Sequence, residues 1–261
     1  MTTTEIRNKV FWKDLIKLNQ RGLLVENSLN YPWLVISLVL AYFEYYLLAF
    51  PFSILFFLAT LRQVHNGIHQ SLGIGKKMTR ISMFLNSIFM SVSTSAIKFN
   101  HLEHHKHNLS EKDFEGKPAT MNWFQALLYG PIFMVNLHLN TIRFGNKKYK
   151  LDLFFETISI ILIFSIVVYF NIKFLIYHMI IMALGEGLMA FFAVWTVHHD
   201  TLDNPEFART QRGDNWKNLI SMGMFYHLEH HLFPAVPTHN LKKLSKRIDK
   251  EFPNLKKKNV F

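Results

Sequence analysis

Two apolar stretches, residues 152–170 (DLFFETISIILIFSIVVYF) and 174–197 (FLIYHMIIMALGEGLMAFFAVWTV), are parted only by Asn171, Ile172 and Lys173. A helix that crosses a bilayer needs about 20 predominantly apolar residues. Each stretch is long enough, and so short a turn forces the two to run antiparallel. Backbone inside lipid must satisfy its own hydrogen bonds, so such segments are helices. Half of all residues are hydrophobic and 18% are charged, which is too apolar for an ordinary soluble domain.

An earlier pair repeats the pattern less cleanly. Residues 33–50 are apolar, Pro51 breaks the run, and residues 52–61 continue it. The second helix reaches spanning length only by running to about Ile68. Two further stretches, 81–97 and 121–140, mix apolar residues with Ser, Asn, Gly and Pro, and read as interfacial helices, re-entrant pieces or extra spans. The expected fold is all-α: an integral membrane bundle of about four transmembrane helices in two hairpins, with a helical cap. One domain over 1–261 is expected. Its parts are an arm (1–30), the first hairpin (33–68), an interfacial region (69–150), the second hairpin (152–197) and a C-terminal section (198–261).

Charge gives an orientation. Of 29 Lys and Arg, only Lys173 lies in a hairpin turn. The positive-inside rule therefore places the termini and the remaining loops in the cytoplasm. The net charge of +11 is read as attraction to anionic membrane lipids, since no zinc-finger or RNA-binding signature accompanies it and the long spans disfavour nucleic acid as a partner. The basic run Lys242, Lys243, Lys246, Arg247, Lys250 and Lys256–Lys258 fits headgroup contact or a solvated helix face.

Chemistry is concentrated in histidine. The word HLEHH occurs twice, at residues 101–105 and 227–231, and HNGIH lies at 65–69. At 3.6 residues per turn, HxxHH puts three imidazoles on one stripe of a helix and HxxxH puts two. With 14 His in 261 residues, HxxHH arises by chance about 0.04 times per chain, so two copies are roughly a one-in-a-thousand event. All three words fall on the predicted cytoplasmic side.

His65, His69, His101, His104, His105, His227, His230 and His231 are eight imidazoles. One ion cannot use them all; two ions with four or five nitrogens each can. A ninth candidate comes from His198 or His199, at the end of the last span, with His199 favoured by position. Nitrogen ligation suits Fe, Zn, Cu or Ni, and the absence of cysteine excludes thiolate sites. Glu103, Glu229, Asp200 and Asp113 are placed to orient ligand rings, or equally to act as caps and surface charge. His107 is a further outer partner, while His138, His178 and His239 read as structural. Glu186, between Gly185 and Gly187 in the last span, is a costly intramembrane charge. It is expected to contact a polar part of a substrate or a neighbouring helix. Glu44, in the first span, raises the same question.

HxxxH, HxxHH and HxxHH around two apolar hairpins resemble the membrane fatty acid desaturase/hydroxylase superfamily. The run from Tyr226 through HLEHHLFP to Leu241 is similar to the C-terminal box of its bacterial fatty acid desaturase branch. The segment Trp195–His199 resembles the place where that family supplies an additional ligand. The resemblance implies two Fe ions bound by the boxes, O2 as oxidant, a lipid or acyl substrate, and an external electron donor of ferredoxin or cytochrome b5 type. It leaves desaturation, hydroxylation and ketolation open, and a non-catalytic metal-binding membrane protein is the competing class. Asn66 departs from the family, where Asp is frequent, and no HPGG-type haem motif is present.

Overall fold

The computed structural model describes residues 3–201, 208–213 and 215–260. Among them every regular element is helical. In chain order these are α1 (Thr3–Lys9), α2 (Gln20–Ser28), α3 (Tyr31–Tyr42), α4 (Tyr46–Ile68), α5 (Gly75–Met90), α6 (Thr94–His107), α7 (Trp123–Phe144), α8 (Lys147–Tyr169) and α9 (Lys173–Glu186). A π-helical segment, Ala190–Trp195, then leads into α10 (Thr196–His198), α11 (Trp216–Ile220), α12 (His227–Leu232) and α13 (Thr238–Glu251).

Three stretches are long and apolar enough to cross a membrane: Gln20–Tyr42, Tyr46–Ile68 and Lys147–Tyr169. The pair Lys173–Glu186 and Ala190–His198, bent by 40°, makes a fourth when counted as one broken span. The sequence reading is corrected at two points. The first helix begins at Gln20 rather than near residue 33, and the first turn lies at residues 43–45, not at Pro51. Glu44 makes that turn with a left-handed φ of 62°, while Pro51 is the sixth residue of α4, inside the helix rather than at a break. Glu44 is thus outside the span. Its carboxylate accepts from Lys173 Nζ at 2.9 Å, joining the two hairpin turns. Tyr42, Phe43, Tyr45, Tyr169 and Phe170 are exposed around them, an aromatic girdle of the kind found at a membrane–water interface.

Helices α3, α4 and α9 pack together. Between lipid-facing helices burial gives little net drive, so packing and polar ties carry the association. Ser53 supplies such a tie, with its Oγ 2.6 Å from Ser37 Oγ and 3.2 Å from Tyr177 Oη. At Gly130 of α7, an added Cβ would lie 1.7 Å from the Gly187 carbonyl. Only glycine permits that approach of α7 to the break after α9.

The uncertain stretch at 81–97 is a hairpin that leaves the histidine side and returns to it. Helix α5 is capped by Ser91, which is left-handed (φ 60°), and α6 starts three residues beyond it, at Thr94. The tip is held by Glu156 of α8. Its buried carboxylate accepts from Ser93 Oγ at 2.5 Å, Ser95 Oγ at 2.8 Å and the Ser95 N–H at 3.0 Å. A carboxylate at a helix N-terminus satisfies otherwise orphaned N–H groups and meets the positive end of the dipole. The stretch at 121–140 lies in α7, which presents Phe124, Leu128, Ile132, Val135, Leu139 and Ile142 outward. This one-sided apolar stripe is what an interfacial helix presents to lipid.

On the histidine side, α1 and the N-terminal arm pack with α12 and α13 around Ile6, Leu15, Leu228, Leu232, Phe233, Leu241, Leu244 and Ile248. Arg7 Nε donates to the Leu232 carbonyl at 2.6 Å, closing the C-terminus of α12.

Candidate metal centre

Four separate parts of the chain deliver imidazoles to one place. The end of α4 brings His65 and His69, α6 brings His101, His104 and His105, α10 brings His198, and α12 brings His227, His230 and His231. The ring nitrogens fall into two groups. In the first, one nitrogen each from His65, His69, His101 and His230 lie within 4.8 Å of one another. His105 Nε2 joins it, 3.2 Å from His101 Nε2 and 2.9 Å from His230 Nε2. In the second, nitrogens of His104, His198 and His231 lie within 4.8 Å of one another. His227 Nε2 joins that group, 3.0 Å from His198 Nε2 and 3.1 Å from His231 Nε2.

The rings are oriented from behind. His104 Nδ1 donates to Asp113 Oδ2 at 2.7 Å, and His101 Nδ1 donates to Glu115 Oε1 at 2.7 Å. A neutral ring that donates through Nδ1 has a bare Nε2, which is the ligand form. Burial pushes the Asp113 carboxyl up, but the His104 imidazole and the N–H groups of Leu109 and Gly116 outweigh it and hold the carboxyl below its usual range. Burial first, then mutual repulsion, drives His105, His227, His230 and His231 well below the ordinary imidazole value. Burial also opposes protonation of His104, but Asp113 overrides it and raises that ring.

These residues fit metal ions. Nitrogen ligands about 2.1 Å from an ion and at right angles to one another lie about 3.0 Å apart. The six Nε2 separations recorded within the two groups are 2.9–3.2 Å. Hydrogen bonding among the rings does not account for them. His101 is bare at Nε2, so His105 must donate to it, and the same proton cannot also serve His230. In the second group His198 would likewise have to donate to both His104 and His227. Both nitrogens of His65 are buried without a partner. A cation facing each group would satisfy all these lone pairs at once.

The family model for fatty acid desaturases matches residues 33–258. The chain belongs to the fatty acid desaturase family. Comparison with the curated proteins and with the solved structures found no match. The family makes this desaturase-like chain a membrane oxidoreductase of lipid chains.

Of the neighbouring pair it is His198, not the positionally favoured His199, that enters the pocket. His199 stacks on Trp195 with ring centroids 3.9 Å apart, and its Nδ1 bonds the Trp195 carbonyl. The π-helical segment before it explains the exchange. One extra residue in a turn rotates the rest of the helix by roughly 100°, a full position of helical phase.

Of the carboxylates expected to orient rings, Asp113 does so on His104; Glu103, Asp200 and Glu229 are placed elsewhere. Glu103 faces His107 and Lys106 on the outside of α6. Asp200 pairs with Arg209 at 2.9 Å and lies 3.9 Å from His199 Nε2. Glu229 is fully buried, yet it accepts from Arg212 Nε and Thr210 Oγ1, each at 2.6 Å. HLEHH puts its Glu on the helix flank opposite the rings, which is why Asp113 and Glu115 take the orienting contacts instead. Glu115 is not among the expected partners; its one sequence signal is its place two residues after Asp113. His138 bonds the Met134 carbonyl and His178 the Phe89 carbonyl, both remote from the cluster. Glu186 is buried at the end of α9, and neither carboxylate oxygen has a partner.

Proposed function

We propose that this chain binds two iron ions and introduces a double bond into a fatty acyl or related lipid chain, using O2 and electrons from a separate protein of ferredoxin or cytochrome b5 type. The observation that carries the reading is the division of nine imidazoles into a five-nitrogen and a four-nitrogen group. His65, His69, His101, His105 and His230 would hold one ion; His104, His198, His227 and His231 would hold the other. Bound iron supplies activation of O2 and removal of hydrogen from an unactivated C–H bond, chemistry that no side chain here performs alone.

The protein's own part is placement. Asp113 and Glu115 keep protons on the outer nitrogens of His104 and His101, leaving the inner nitrogens bare. Burial excludes water and keeps the other rings neutral and able to ligate. Glu186, unpaired within an apolar span, is assigned to a polar group of the substrate. A cytoplasmic position for the pocket is supported by the charge distribution, which leaves Lys173 as the lone basic residue of the two far turns.

The test is expression in a host with a competent reductase, with lipid profiling by mass spectrometry against His104→Ala. Loss of two hydrogens supports desaturation. Gain of oxygen would make the chain a hydroxylase or ketolase, and an unchanged profile would remove the enzymatic reading. About two irons per purified chain are expected; stoichiometric zinc alone would contradict the proposal.

A further inference from the structure

Next to the pocket, but outside it, lies a buried ion pair that the metal chemistry does not use. Glu26 of α2 and Arg62 of α4 are 2% and 8% exposed. Arg62 Nη2 donates to Glu26 Oε1 at 2.6 Å, and Arg62 Nε donates to Oε2 at 2.9 Å. The same carboxylate accepts from Asn66 Nδ2 at 2.7 Å and from the His239 N–H at 2.7 Å. The remaining arms of the cluster reach the chain on either side of the third histidine box. Arg62 Nη1 donates to the Met222 carbonyl at 2.6 Å. Asn66 Oδ1 accepts from Thr238 Oγ1 at 3.0 Å and from the Thr238 N–H at 3.2 Å.

We propose that Glu26, Arg62 and Asn66 are positioning residues that set the third histidine box against the first by holding its segment at both ends. Met222 lies five residues before His227, and Thr238 seven residues after His231. Between them α12 has six residues, far fewer than a helix needs to persist by itself. Its three rings keep their places only if its ends are fixed. The holding groups stand on α4, on the stripe adjoining His65 and His69, so one rigid helix presents two ligands and grips the segment that carries three more.

The arrangement also explains why an amide stands at position 66. Its nitrogen must donate to a carboxylate while its oxygen accepts from Thr238. An Asp there would lose the donor and bring a second carboxylate against Glu26, with one guanidinium to serve both. This inference rests on the two-ion reading, because its effect is read as metal affinity.

The full-length chain, purified in detergent and stripped of metal, is titrated anaerobically with ferrous iron alone. Asn66→Asp should weaken uptake about 10- to 100-fold, the range for groups that orient ligands from behind. The exchange Glu26→Gln with Asn66→Asp restores one carboxylate, one amide and one guanidinium, and should recover affinity to within about threefold, the coupling a double-mutant cycle isolates. Thr238→Val, which removes one anchor and no charge, should weaken uptake while leaving the melting temperature of the metal-free chain unchanged. Wild-type affinity in Asn66→Asp, or an exchange variant no better than the single one, would overturn the proposal even if the wild type takes up two irons. A wild type that takes up none would instead remove the metal reading and this role with it. Should Asn66→Asp fail to fold, the exchange variant and Thr238→Val decide the matter.

Discussion

Asp113 Oδ2 lies 2.7 Å from His104 Nδ1, while His104 Nε2 faces His198 Nε2 at 3.1 Å on the other side of the ring. One imidazole thus joins a buried carboxylate to the four-nitrogen group. Asp113→Ala should therefore lower iron affinity about 10- to 100-fold with all nine histidines intact. Metal content after dialysis against a chelator checks this; full occupancy would show that the carboxylate does not orient the ring.

His198 and His199 are adjacent and point to different places. His198→Ala should lose iron from the four-nitrogen group, leaving about one ion per chain. His199→Ala should keep two, since that ring rests on Trp195. Elemental analysis of both variants separates them, and equal losses would contradict the geometry.

Arg212 is the charged partner of Glu229, whose side chain is wholly buried. Removing one member of a buried pair leaves an uncompensated charge and typically costs about 3–5 kcal/mol. Arg212→Ala should therefore loosen α12 before the membrane helices. Hydrogen exchange should show early loss of protection at residues 227–232, with α8 unaffected.

Acid should act on the same corner through Asp249. Burial raises this carboxyl, but Lys257 and Arg212 outweigh it and hold it below the ordinary value of 3.8. The stabilisation is therefore complete above 3.8 and is lost as pH falls through the lower folded value, because the unfolded chain takes up the proton first. Melting curves of wild type and Asp249→Asn should differ near pH 6 and converge toward pH 3. A constant difference across that range would remove the linkage.

Glu186→Leu should change which lipids are converted while two irons remain bound, if the carboxyl meets the substrate. An unaltered product profile with unaltered rate would reduce Glu186 to a packing group.

Hydropathy made the long spans legible, because apolar length is a local property. The turn at Glu44 was hidden, since Phe43, Glu44 and Tyr45 carry none of the usual turn residues while Pro51 nearby does. The α5–α6 hairpin was hidden for a different reason. Its polar tip at Ser93–Ser95 is satisfied by Glu156, about 60 positions away, and no local window reveals that partner. Spacing exposed the eight box histidines. Proximity marked Asp113 as a ring partner, but nothing local revealed the π-helical slip that selects His198, the contact of Glu115 with His101, or that Glu103 and Glu229 within the boxes face away from the rings.

The scatter of the ligands along the chain dictates an order of assembly. The first group needs His230 and the second needs His198, His227 and His231, while Arg7 at the opposite terminus grips Leu232. The first group is not whole until the ribosome has passed residue 230 and the second until it has passed residue 231, by which point all the spanning stretches have been synthesised. Loading of the proposed ions would thus be a late event of biogenesis, and a nascent chain halted before that residue carries imidazoles but no finished pocket.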